Sequence, residues 1–213
     1  MTVGEVWSNS FSAVQYVKNS EMDMVFNFDL ARSILNGVNS RNAGSLANTL
    51  SFETRLFPAG SMGIFLTNHD QDRTFSVLMN DRHKAKVAAA IYLTAPGIPF
   101  IYYGEEIGMT GTGDHLNIRT PMQWDSQRGA GFTTGPLWNY PNANYSENNV
   151  NQQLEDPDSL LRHYMRLIQA RSQSPALTKG ELVTVRSKHP GVLAYLRVDD
   201  QESVLILHNL SDS

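Results

Sequence analysis

Residues 62–70 read MGIFLTNHD. Ile64, Phe65 and Leu66 form a short apolar run, and the chain then switches at once to Thr67, Asn68, His69 and Asp70. An apolar run of strand length suits a strand buried on both faces, with the ionisable side chains marking its carboxyl end. In open α/β sheets and (β/α) barrels, active sites are built at that end of the strands. The same residues also suit a plain strand-to-helix turn in which Asp70 or Asp72 caps the next helix. On this stretch alone the two readings stand level.

The composition narrows the setting. The chain has 213 residues, 41% hydrophobic and 18% charged, enough to bury a sizeable core in one domain or somewhat more. Lys and Arg total 17 against 21 for Asp and Glu, giving a net charge of −4 with no block of like charge. Nucleic acid and anionic membrane are therefore poor partners. No apolar run approaches the length of a membrane span, and the opening MTVGEVW lacks the layout of a signal peptide. With no cysteine there is no disulfide framework and no thiolate ligand or nucleophile. That absence fits the cytosol and equally a secreted protein with a large core, so the compartment stays open.

Toward the amino terminus, residues 2–7 (TVGEVW) read as the tail of a strand, with Glu5 among apolar neighbours. A carboxylate there needs a partner or has a raised pKa, which suits catalysis, or a buried Glu paired to Arg or Lys. Ser8 and Ser10 are candidate caps for a helix over Phe11, Val14, Tyr16 and Val17. Residues 22–30 (MDMVFNFDL) form a second strand, with Asn27 and Asp29 at its end as caps or cleft residues. Helical pattern comes next around Ala31–Leu35 and again at Leu46, Leu50, Leu56 and Phe57, before the strand at 62–66. Residues 81–95 are the clearest helix, with Asp81 near its start and Ala85, Ala88, Ala89, Tyr92 and Leu93 on one face. Residues 98–103 (IPFIYY) are a fourth strand, closed by Gly104 and trailed by Glu105 and Glu106. Adjacent carboxylates point apart, which favours a structural role for them.

From residue 109 to 156 the chain is irregular and rich in Gly, Asn, Thr and Pro, holding Arg119, Trp124, Asp125, Trp138 and Tyr145. Runs of that length are functional loops or linkers, and the aromatic content argues for order and for faces on which carbohydrate stacks. Helical period returns over 158–177. Residues 181–187, 192–198 and 203–209 then read as an antiparallel meander, which must dock or continue because three strands are few for an independent sheet. The expected fold class is α/β: four strand–helix units, half the complement of a (β/α)₈ barrel, and then a small all-β segment.

Four stretches, VGEVW at 3–7, FLTNHD at 65–70, GIPFIYYGEEIG at 97–108 and RTPMQWD at 119–125, resemble the α-amylase superfamily of glycoside hydrolases. Residues 149–177 are similar to its oligo-1,6-glucosidase, α-glucosidase and trehalose-synthase branch. The resemblance implies a retaining (β/α)₈ enzyme with a C-terminal β-sandwich, acting on an α-glucan or α-glucoside oligosaccharide. It implies that residues 1–178 are the C-terminal half of the catalytic barrel (strands five to eight), including the long loop 109–157. Residues 179–213 would begin the β-sandwich as an incomplete antiparallel domain. Carried over by position, Glu5 is the general acid/base and Asp70 the carboxylate that supports the transition state. The resemblance further implies that Asn68, His69, Tyr103 and Arg119 bind substrate. The acid must hold its proton near neutral pH, and a nucleophilic carboxylate must sit about 5–5.5 Å from it.

The nucleophile's motif, at the end of the family's fourth strand, is not found in these residues, and Asp29 and Asp125 lie in no such motif. The expectation is a fragment of a glycosidase, inactive or weakly active alone, with no cofactor and any calcium ligands of the parent upstream. The alternative is a non-catalytic half-barrel scaffold that self-associates, because its outer strands would each lose a neighbour and leave edges that invite a homo-oligomer.

Overall fold

The structure, a computed structural model, describes residues 1–211. Strands β1 (Val3–Gly4), β2 (Met24–Phe26), β3 (Met62–Ile64) and β4 (Ile98–Pro99) lie side by side in chain order as a parallel sheet. Gly4 pairs with Val25, Phe26 with Gly63 and Ile64 with Pro99, so all four carboxyl ends face the same way. Helix α1 (Ser10–Lys18) joins β1 to β2, and α2 (Phe28–Ser40) and α3 (Ala43–Leu56) join β2 to β3. Helices α4 (Thr74–Val77) and α5 (Arg82–Thr94) join β3 to β4. After β4 come α6 (His115–Ile118), α7 (Val150–Glu155), α8 (Leu160–Gln173) and α9 (Pro175–Lys179). Strands β5 (Glu181–Thr184), β6 (Val192–Val198) and β7 (Ser203–Asn209) form an antiparallel meander. No helix among the described residues is long and apolar enough to cross a membrane.

The chain divides into two compact units. The first holds Met1–Leu66, Val87–Phe100 and the chain from Leu167 onward; the second holds Thr67–Lys86 and Ile101–Arg166.

Within the first unit, the parallel strands are shorter than the apolar runs predict. Pro99 has no N–H to give the ladder, and beyond it Phe100 N reaches back to Ile64 O at 2.8 Å. At the carboxyl side of the strands Phe26, Phe28, Phe65 and Phe100 pack edge to face, with Phe65 5.2 Å from Phe26 and 5.0 Å from Phe28. Such pairs add to the burial of the rings themselves. Entry to β4 depends on Gly97 (φ +115°), where a Cβ would lie 2.7 Å from Met62 O. Helix α2 buries Leu30, Ala31, Ile34, Leu35 and Val38 along one stripe, and Asn27 caps it through Leu30 N. The cap of α1 is Asn9, not Ser8 or Ser10, because its carboxamide oxygen takes the N–H of Ser12. Asp81 caps α5 as its position predicts, accepting from His83 N and Lys84 N.

The meander docks: β5 and β6 lie against α3, and β6 and β7 against α9. Strands β6 and β7 match the ranges read from the sequence, whereas β5 ends three residues early, at Thr184. Two buried arginines secure the join. Arg171 on α8 donates to Leu93 O, Ala95 O and Gly97 O, and Arg197 on β6 donates to Thr94 O and Gly180 O.

Next to them, His208 Nε2 lies 3.2 Å from Thr94 Oγ1 and 3.3 Å from Tyr195 Oη. Burial pulls this imidazole down from 6.5 to about 4. The unfolded chain takes up the proton near 6.5 and the folded chain only near 4, so the unfolded state binds more protons in between. Stability is therefore lost as pH falls through that window, by on the order of 3 kcal/mol in full. Urea unfolding as a function of pH should show this loss in the wild type and not in His208→Gln. Parallel curves for the two proteins would contradict the buried neutral histidine.

Candidate active site

In the first unit, Glu5 comes directly after β1. Its side chain is exposed, where the sequence predicts a carboxylate among apolar neighbours. The reason is the sheet: β1 is its first strand, paired on one side only, with Val3 and Trp7 also exposed. Trp7 stacks on Phe28 with ring centroids 4.4 Å apart. Asn27 is spent inside the fold, donating to the buried Glu53 at 2.7 Å, whose pKa burial raises. Asp29 accepts from Ser10 N and Ser10 Oγ. Both strand-end side chains serve packing and capping.

In the second unit the chain continues from β3 into Thr67–Asp70. Thr67 Oγ1 sits 2.9 Å from Thr74 Oγ1 and accepts from Thr74 N, tying the strand end to the start of α4. Thr74 Oγ1 donates to Glu105 Oε2 at 2.8 Å, and Tyr164 Oη to Glu105 Oε1 at 2.7 Å. Glu105 is thus buried and structural, as its adjacency to Glu106 suggests. Glu106 is held above the usual carboxylate range by burial. Asn68 Oδ1 accepts from Asp70 N at 3.0 Å, an Asx-type turn that sets the direction of the next two side chains. His69 Nε2 lies 3.6 Å from Asp70 Oδ2, both half-exposed.

Arg119 closes this arrangement. Its Nε donates to His69 O at 2.8 Å and its Nη2 to Asp70 Oδ1 at 2.5 Å. A guanidinium that grips both the backbone and the carboxylate fixes that side chain's rotation. Oδ2 is left beside His69, placed to accept from a ligand hydroxyl. Tyr103 Oη donates to Thr120 O at 2.7 Å, and Tyr102 Oη to Ile118 O at 2.9 Å. Burial raises Tyr102 to about 12, so the phenol keeps its proton at neutral pH.

Of the residues picked out by sequence, the structure joins His69, Asp70 and Arg119 directly, with Asn68 in their turn and Tyr103 bonded next to Arg119 in the chain. Three further features emerge only from the structure: Arg73, Tyr102 and the contact of Glu105 with Thr74. A basic residue three positions after Asp70, and a tyrosine pair before a glycine, are the only signals of them in the sequence. The segment 109–156 is less irregular than expected, because α6, α7 and a 3₁₀ turn at Arg128–Gly131 interrupt it. Asp125 serves that turn, accepting from Gln127 N. No group of three or more His, Asp or Glu among the described residues is placed to hold a metal ion.

The family model described as "Alpha amylase, catalytic domain" matches residues 1–180. The chain belongs to the α-amylase family of glycosidases. Alpha-amylase 3 of Dictyoglomus thermophilum is 35% identical over 215 residues, 98% of this chain and 42% of that protein. The oligo-1,6-glucosidase of Heyndrickxia coagulans is 31% identical over all of this chain and 48% of its own length. The crystal structure of the α-amylase from H. orenii superposes with a TM-score of 0.84 at 36% identity, covering 98% of this chain and 43% of that one. This α-amylase-family chain thus spans about half the length of the curated relatives it matches. Its parallel sheet and subsequent antiparallel sheet accord with that fold.

Proposed function

We propose that this chain carries two of the three catalytic carboxylates of a retaining α-glucosidic-bond hydrolase or transglycosidase. Glu5 is the general acid/base and Asp70 the carboxylate that steadies the oxocarbenium-like transition state. Asn68, His69, Tyr103 and Arg119 engage the sugar. In this reading β1–β4 are the last four strands of a (β/α)₈ barrel within residues 1–178, and β5–β7 open the next domain, an all-β one. The supporting observation is the grip of Arg119 on Asp70 beside His69, directly after a parallel strand, where such folds build their sites. Substrates are α-glucoside oligosaccharides, the class named by relatives such as the oligo-1,6-glucosidases.

In a retaining mechanism a nucleophilic carboxylate displaces the leaving group, which the acid protonates, to form a glycosyl–enzyme intermediate; water, deprotonated by the same acid/base residue, then hydrolyses that intermediate. Glu5 and Asp70 supply the proton and the electrostatic support, and these 213 residues hold no nucleophile motif. The chain alone should therefore release little or no p-nitrophenol from p-nitrophenyl α-glucoside. Mixed with an amino-terminal half that carries the nucleophile, it should gain activity. Full turnover by the chain alone would overturn the missing nucleophile.

A second reading is a self-associating half-barrel without catalysis. It is favoured by β1 and β4, each paired on one side only in the sheet. Light scattering over a range of concentrations should then show a dimer or larger species, and a monodisperse monomer at all concentrations would exclude it.

A further inference from the structure

The proposed sugar carboxylate Asp70 is held by Arg119, and the structure shows what holds Arg119. Arg73, three residues after Asp70, is 1% exposed. Its guanidinium carbon lies 4.7 Å from the centroids of both Tyr102 and Tyr103, and its Nη1 donates to Tyr103 O at 2.8 Å. The two phenols in turn donate to Ile118 O and Thr120 O, the carbonyls on either side of Arg119. Arg119 then returns to His69 O and Asp70 Oδ1. The contacts form a closed circuit: Asp70, backbone to Arg73, the tyrosine pair, residues 118–120, and back to Asp70.

We infer that Arg73 is a positioning residue, which through Tyr102 and Tyr103 fixes the Arg119–Asp70 ion pair. The inference rests on the role proposed above for Asp70.

Three features separate this from ordinary packing. The first is that Arg73 Nε and Nη2 have no hydrogen-bond partner among the described residues, so the charge is poorly compensated by bonds. Burial of that kind is unfavourable and persists where the surroundings fix it. What Arg73 does have is two aromatic faces, and cation–π attraction strengthens when the cation is desolvated. Secondly, the tyrosine pair is itself pinned, since Gly104 has φ +82° and a Cβ there would lie 2.2 Å from Met109 Sδ and 3.2 Å from Arg73 Nη1. Finally, the backbone of Arg73 is anchored, its N–H donating to Gly111 O at 2.9 Å. In both tyrosines the ring faces Arg73 while the phenol O–H reaches a carbonyl beside Arg119.

The test uses the full chain and the Nε–H of Arg119 in ¹H–¹⁵N spectra, assigned by its loss in Arg119→Lys. In the wild type this proton should exchange slowly, because it is bonded to His69 O. The double variant Tyr102→Phe/Tyr103→Phe keeps both rings around Arg73 and removes only the two O–H donors. It should keep its thermal midpoint to within a few degrees, yet exchange the Arg119 proton about tenfold faster or lose the signal. Arg73→Lys should do the same if it folds. A folded double variant with an unchanged Arg119 signal overturns the inference. Titration of the single variant Tyr102→Phe with isomaltose separates the two claims, since Tyr102 is not among the residues proposed to engage the sugar. A loosened Arg119 with weakened sugar binding supports both, while a loosened Arg119 with unaltered sugar binding supports the positioning role and removes Asp70 from the sugar site.

Discussion

The end of helix α5 is the constraint on which the first unit depends. A helix leaves its last carbonyls without partners, and where those carbonyls are buried they must be met by something other than water. Here Leu93 O, Thr94 O and Ala95 O are met by two guanidinium groups, Arg171 from α8 and Arg197 from β6. Arg171 also takes Gly97 O, at the entry to β4, and Arg197 takes Gly180 O, at the entry to β5. Two side chains thus fix where the last parallel strand begins and where the antiparallel sheet is attached. Positive charge at a helix carboxyl end is also favourable with respect to the dipole. Burial, with the neighbouring Arg171, lowers Arg197 to about 10, which still leaves it charged at neutral pH. Arginine suits this place because its planar fork reaches several carbonyls at once, which the ammonium of lysine does not.

The second unit solves a different problem with the same means. The side chains proposed to form its site stand on loops, which are mobile by default. Glu105 ties Thr74 to Tyr164, Arg73 lies between two tyrosines, and Arg119 clamps the turn that carries His69 and Asp70. Rigid placement of a carboxylate by neighbouring bonds is what electrostatic support of a transition state requires, since little reorganisation is then left to occur during reaction.

Much of this is legible in the sequence, and the parts that are not share a physical cause. Apolar runs and the Ala-rich stretch at 82–94 reveal the strands and α5 because burial and propensity are local signals. The strand-end position of His69 and Asp70 is visible in the break between Leu66 and Thr67. The lengths of the parallel strands are not, because ladder pairing depends on the neighbouring strand and on Pro99. The exposure of Glu5 is hidden for a similar reason: a strand's place at the margin of a sheet is a property of the assembled sheet. Arg73, Arg171 and Arg197 go unread because arginine is normally a surface residue, and only folding shows which carbonyls and rings surround it. The tyrosine contacts to Ile118 O and Thr120 O link positions 16 and 17 residues apart through backbone atoms, and backbone acceptors leave no trace in side-chain pattern.

The central claim is that the turn at residues 68–70, with Arg119, is a sugar site. Titration of the ¹⁵N-labelled chain with maltose or isomaltose addresses it most directly. The account predicts saturable chemical-shift changes concentrated at Asn68, His69, Asp70, Tyr103 and Arg119. Changes confined to the antiparallel sheet, or none at these five residues at millimolar sugar, would contradict it.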